Sequence, residues 1–311
     1  MAEDTWALNE HTIDNDAFLQ QAYLVYAERE AMFLSALERC RRGVVACVFD
    51  TTDRVQHMFF AQKDRGGPHS RVIEELYMRA DSLVGKTLAH VDSQTVLIVL
   101  SDHGFTSFER GVDLNAWLLE HGYLALLPTA TRPTSTGDEK YLRAVDWSRT
   151  RAYTFGLAGI YINQRGRESH GIVDPADAPV LRQELAAKLS GLRDGEHLAI
   201  RAAWPSPSLY TGPYLDAAPD LIVGYAEGYR ASWDAAVGQV TQATFTDNLK
   251  AWSGDHCVDP HLVPGVLFSN RPILAPDPGI EDMARTALDL FGIPAPPHME
   301  GKPLFPNEAP Q

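Results

Sequence analysis

Aspartate and histidine crowd into three short stretches of this chain: DRVQH at 53–57, SDHGF at 101–105 and SGDHCVDPH at 253–261. Two of the stretches directly follow apolar, β-branched runs, VVACVF at 44–49 and VLIVL at 96–100. Such runs read as buried strands. Carboxylates and imidazoles gathered at strand ends are the ligand set of a divalent ion such as zinc or manganese. This pattern constrains the fold, because strands far apart in the sequence must bring their ends together. It favours a metal-dependent hydrolase. Five candidate ligands, Asp53, His57, Asp102, His103 and His256, are few for a two-metal site.

At 311 residues the chain can bury a large core. Its formal net charge of −14 excludes a broad surface for nucleic acid or anionic membranes. No stretch reaches the roughly 20 apolar residues of a membrane span. The start, MAEDTWALNE, is polar and acidic and carries no signal peptide, which makes the cytoplasm the default compartment. The 3 cysteines give no disulfide framework. Cys47, inside an apolar run, reads as a buried core residue, and Cys257 as a partly buried thiol beside His256.

Apolar periodicity predicts helices over 16–41, 53–63, 70–90, 112–126 and 177–193, and a closing helix in IEDMARTALDLFGI. Buried strands are expected at 44–49 and 96–100, and further strands at 159–163, 219–225 and 265–270. Residues 127–141, rich in Thr, Pro and Gly, read as loop. Helices alternating with apolar strands imply an α/β fold with a largely parallel central sheet flanked by helices. No boundary splits the chain, so 1–311 reads as one domain, with 106–250 a candidate cap or insertion over the site.

Asp53 and His57 are four residues apart, so on a helix capped by Thr51 or Thr52 they share a face. Asp102 and His103 are adjacent and reach one pocket only if the backbone turns, for which Gly104 supplies freedom. His256 lies in a polar loop, where a histidine is by default a solvated side chain; the same default holds for His261 and His170. Asp50 reads as a strand-end turn residue, and Arg165 and Arg167 as solvated.

Taken together, FDTTDRVQHMF at 49–59, LSDHGF at 100–105 and SGDHCVDPHLVPGVLFSN at 253–270 resemble the alkaline phosphatase superfamily, in its type I phosphodiesterase / nucleotide pyrophosphatase branch. GIYINQRGRESHGIV, APDLIVGYAEGYRASW and LFGIPAPPHMEGKPL match in the family's order. The resemblance implies an alkaline-phosphatase-like fold and hydrolysis of small phosphoesters, with two divalent ions, zinc foremost and manganese second. It implies that Asp53, His57 and His256 hold one ion and that Asp102 and His103 hold part of the other.

The family's Ser or Thr nucleophile and a further Asp ligand precede the Asp53 stretch, and neither is found here. The chain is therefore expected to be the C-terminal part of the catalytic domain, incomplete at its N-terminal side. It would lack its nucleophile and be weakly active or inactive alone. A missing N-terminal part, in the same or another chain, would complete it, and an exposed sheet edge would promote self-association. The alternatives are a non-catalytic metal-binding remnant, one piece of a split enzyme, or another superfamily activity: phosphomutase, sulfatase or phosphonate hydrolase.

Overall fold

A computed structural model describes residues 3–130 and 140–305. Most of the loop expected at 127–141 falls outside them. The helices are α1 (Thr5–Asn9), α2 (Asn15–Arg39), α3 (Thr51–Phe59), α4 (Gln62–Arg65), α5 (Val72–Leu88), α6 (Leu114–Glu120), α7 (Ala178–Leu189), α8 (Trp233–Ala236) and α9 (Glu281–Leu290). The strands are β1 (Ile98–Leu100), β2 (Thr106–Val112), β3 (Ala152–Thr154), β4 (Gly159–Ile162), β5 (Arg193–Asp194), β6 (His197–Leu198), β7 (Ile200–Pro205), β8 (Leu221–Tyr225), β9 (Gly228–Ala231), β10 (Phe245–Asp247), β11 (Gly254–Asp255) and β12 (Leu267–Ser269).

The fold is α/β with several sheets, and the strands pair mostly antiparallel, which corrects the expected parallel sheet. One sheet runs β3-β4-β8-β7, antiparallel throughout. A second is built on β2, which pairs antiparallel with β10 and β11 and parallel with β9. Among the described residues β1 pairs only with β12, antiparallel. Alternating helices and strands imply a parallel sheet only when successive strands lie side by side. Here β1 takes a partner from far down the chain, and 44–49 joins no ladder.

The run VVACVF is the second correction. It forms neither helix nor strand and is largely exposed, with Val44 67% and Val48 76% accessible. It is tied down near its end, where the Phe49 ring packs on Tyr26 and Phe33 of α2 and Arg29 donates to Val48 O. Cys47, expected in the core, is exposed. An apolar run is buried only if something covers it, and the described residues put nothing over this one.

Two apolar clusters hold the molecule together. The smaller packs Phe18, Leu19, Ala22 and Tyr26 of α2 against Val55, Met58 and Phe59 of α3 and Val72, Leu76 and Leu83 of α5. Truncating Phe59, 1% exposed, to alanine costs about 3–5 kcal/mol by the usual cost of emptying a core aromatic site. The larger gathers α6, α7 and strands β3, β4, β7, β8 and β9, from Val112 to Val263. β11 joins the two clusters: it pairs with β2 of the second sheet and lies against α3 of the helical cluster.

Candidate metal centre

Asp53 and His57 lie on α3. The helix begins at Thr51 behind Asp50, and neither threonine caps it as expected: Thr52 Oγ1 donates to Phe49 O, and Thr51 Oγ1 donates to Glu3 Oε1. An acid in the first turn suits the helix dipole. Val55, Met58 and Phe59 face the core, which leaves Asp53 and His57 one turn apart on the other side, toward β11. His57 Nε2 is 3.4 Å from Asp53 Oδ1.

His103 follows β1, and His256 follows β11. His256 Nε2 is 3.6 Å from the same Asp53 Oδ1, and His103 Nε2 is 3.8 Å from it. The His103 and His256 rings stack, 3.6 Å apart at 13°. Phe105 packs against all three imidazoles, with centroids 4.8 Å from His57, 5.5 Å from His103 and 5.4 Å from His256. Asp102 Oδ1 is 3.6 Å from His103 Nε2, but its side chain is 77% exposed and sits at the rim. Three imidazoles therefore face one carboxylate oxygen, with Asp102 beside His103 at the rim.

Glycine permits this approach at two points. A Cβ on Gly104 would lie 2.8 Å from Pro264 O, so it is close packing, not a positive φ, that requires glycine there. A Cβ on Gly254 would lie 2.6 Å from Gln56 O and 2.6 Å from the Phe60 side chain.

Hydrogen bonds aim the imidazoles. His57 Nδ1 lies 2.7 Å from Gly254 O and His103 Nδ1 3.0 Å from Gly104 O. A carbonyl only accepts, so both Nδ1 atoms donate to these carbonyls, and Nε2 of each ring faces Asp53. Arg54 donates to Asp53 Oδ2, which leaves Oδ1 buried with no hydrogen-bond donor. A proton on Nε2 or a bound cation would satisfy the carboxylate oxygen that these rings face. Burial would raise Asp53, but His57, Arg54 and His256 outweigh it and hold the carboxyl below its ordinary range. His256 is pushed below the ordinary imidazole value by burial and by His103 and His57, against Asp255 and Asp53. One ligand atom from each of Asp53, His57 and His256 lies within 4.8 Å of the others, and the donor chemistry fits a zinc-like ion.

The neighbouring groups are otherwise engaged. Burial pushes the Cys257 thiol up to about 12, so it stays protonated. His261 is 78% exposed and paired with Asp259, and His170 is exposed. Asp50 pairs with Arg29. Arg167 pairs with Glu168 and the buried Asp220 rather than meeting solvent, and Arg165 is exposed.

Sequence reasoning missed Asp255, which is 2% exposed. Burial would raise its carboxyl, but the Arg230 guanidinium, the Cys257 N–H, His57 and the Trp252 indole hold it low. Its place beside His256 in SGDH was the available signal.

No helix among the described residues is long and apolar enough to cross a membrane. No curated protein matches the chain. A family model described as type I phosphodiesterase / nucleotide pyrophosphatase matches residues 3–242. That span takes in Asp53, His57, Asp102 and His103 and stops short of His256. It starts at the N-terminal end of the chain and gives no support to the expectation that only a C-terminal part of the family's domain is present. With well over half of the 311 residues matched, the chain belongs to the type I phosphodiesterase / nucleotide pyrophosphatase family.

Proposed function

We propose that the chain holds a divalent ion on Asp53, His57 and His256, with His103 in reach and Asp102 at the rim, and that this centre serves hydrolysis of small phosphoesters. The ion is zinc in the first instance, since imidazole-rich N/O sets suit it, and manganese in the second. The observation that carries the reading is the buried, donorless Asp53 Oδ1 facing three Nε2 atoms. Family membership supports phosphodiesterase or pyrophosphatase chemistry.

A bound dication supplies Lewis-acid polarisation of a phosphoryl oxygen. The protein's part is to keep the ligands in form. Arg54 holds Asp53 Oδ2, so that Oδ1 stays turned to the imidazoles. Gly254 O and Gly104 O hold protons on Nδ1 of His57 and His103. Phe105 and Trp252 wall the rings. Residues 106–250, which supply most of the larger apolar cluster, we read as the cap or insertion beside this centre.

Hydroxyls around the cluster are committed elsewhere. Thr51 is buried against Glu3, Thr52 bonds Phe49 O, Ser101 Oγ accepts from Val266 N, and Ser253 Oγ accepts from Ala61 N. None of these four hydrogen bonds presents a hydroxyl to the cluster as a nucleophile. This favours a second reading, a metal-binding protein that does not turn over alone.

The test is hydrolysis of a chromogenic phosphodiester by the zinc- or manganese-loaded chain. The account expects slow turnover that a chelator abolishes and that falls by about 100-fold or more in Asp53→Ala, since losing a ligand costs more than the roughly 10–100-fold of an outer partner. Turnover indifferent to Asp53→Ala would sink the assignment. An ion bound without any turnover would establish the second reading.

A further inference from the structure

Behind the imidazoles lies a buried ion pair that the proposed chemistry does not use. Arg230 on β9 is 5% exposed and Asp255 on β11 is 2% exposed, with Arg230 Nε 2.7 Å from Asp255 Oδ2. The guanidinium sits between aromatic rings, 4.8 Å from the Phe108 centroid and 4.5 Å from that of Trp233. Its Nη1 donates to Ala231 O. Burying two charges costs desolvation that mutual attraction barely repays, and well-packed apolar residues in such places are often as stable or more so. A pair kept in this position therefore points to geometry rather than stability.

The contacts of Asp255 show which geometry. Its Oδ1 accepts from the backbone N–H of His256 at 2.8 Å and of Cys257 at 2.8 Å, which fixes the turn that carries the His256 ring. Its Oδ2 accepts from Trp252 Nε1 at 2.9 Å. The Trp252 ring in turn lies 3.7 Å from the His57 ring at 30°. The residue before Asp255, Gly254, receives the Nδ1 proton of His57. One carboxylate thus sets the backbone of one imidazole and the stacking partner of the other.

We propose that Arg230 and Asp255 are positioning residues for the metal centre: Arg230 anchors Asp255 to the β2–β9 pair, and Asp255 orients His256 directly and His57 through Trp252. This rests on the metal-binding reading above. Groups that orient ligands from behind typically change metal affinity by about 10–100-fold.

The test uses the full chain loaded with Co2+, whose visible spectrum reports ligand geometry, and Zn2+ affinity measured by competition with a chromophoric chelator. The variants are Asp255→Asn, Arg230→Lys and Trp252→Phe. Circular dichroism and melting of the metal-free proteins select the folded ones. The expected result is 10–100-fold weaker binding and an altered Co2+ spectrum in folded Asp255→Asn and Arg230→Lys. Trp252→Phe removes the indole donor but keeps a ring against His57, and is expected to show a smaller loss in the same direction. If the first two variants fail to fold, Trp252→Phe decides. Folded variants with wild-type affinity and spectrum would overturn the proposal while leaving the metal reading intact. A wild-type chain that binds neither ion would overturn the metal reading instead.

Discussion

At the residue scale, the centre depends on three imidazole nitrogens meeting one carboxylate oxygen. The directions of the shifts at Asp53 and His256 have a consequence for the metal-free protein. His256 is held below its ordinary value of 6.5, so between that value and its folded one the unfolded chain binds the extra proton. Stability is therefore full above about 6.5 and falls as pH drops through that window. Asp53 is held below 3.8, so its contribution is lost only at lower pH, as the medium falls through its folded value. Thermal melts of the chelated protein should show a drop in Tm between about pH 7.5 and pH 5.5, and His256→Gln should reduce that drop. An equal drop in the variant would remove His256 from the explanation. That Asp53 and His57 share a face was legible in the helical spacing, whereas His103 was expected beside the other ion and its approach to Asp53 was not legible. Asp255 and Arg230 were not legible either, because their partnership joins β11 to β9 through β2, a tertiary contact that no local spacing announces.

At the scale of elements, the helices followed their periodicity. The expected 16–41 and 70–90 appear as α2 and α5, and the expected 53–63 divides into α3 and α4. Strand existence was legible for β1, β4, β8 and β12, whereas pairing was not, because pairing is decided by long-range contacts. β2, which carries both the β11 contact and the Arg230 strand, reads TSFERGV, too polar to stand out as a strand. The misjudged element is 44–49. An apolar, uncharged segment with exposed Val44 and Val48 is a strand-pairing hazard, as is β12 with Phe268 64% exposed. Light scattering on the purified chain should detect self-association that Val48→Lys reduces. A monodisperse wild-type monomer would contradict this.

At the scale of the whole molecule, the centre lies where α3 of the helical cluster meets β11 of the sheet built on β2 and the turn after β1. α3 brings Asp53 and His57 from one side, and the ends of β1 and β11 bring His103 and His256 from the other. This arrangement sits in a chain with a net charge of −14, in which a bound dication would be a strong local positive charge for an anionic substrate. The most direct measurement is the metal content and affinity of the intact chain after zinc loading and exhaustive dialysis, beside Asp53→Ala and His256→Ala. The account predicts tightly held zinc in the wild type, on the order of one ion per chain as a single three-residue ligand set allows, and its loss in both variants. A wild-type chain that retains no zinc or manganese, or variants that retain as much as the wild type, would contradict it.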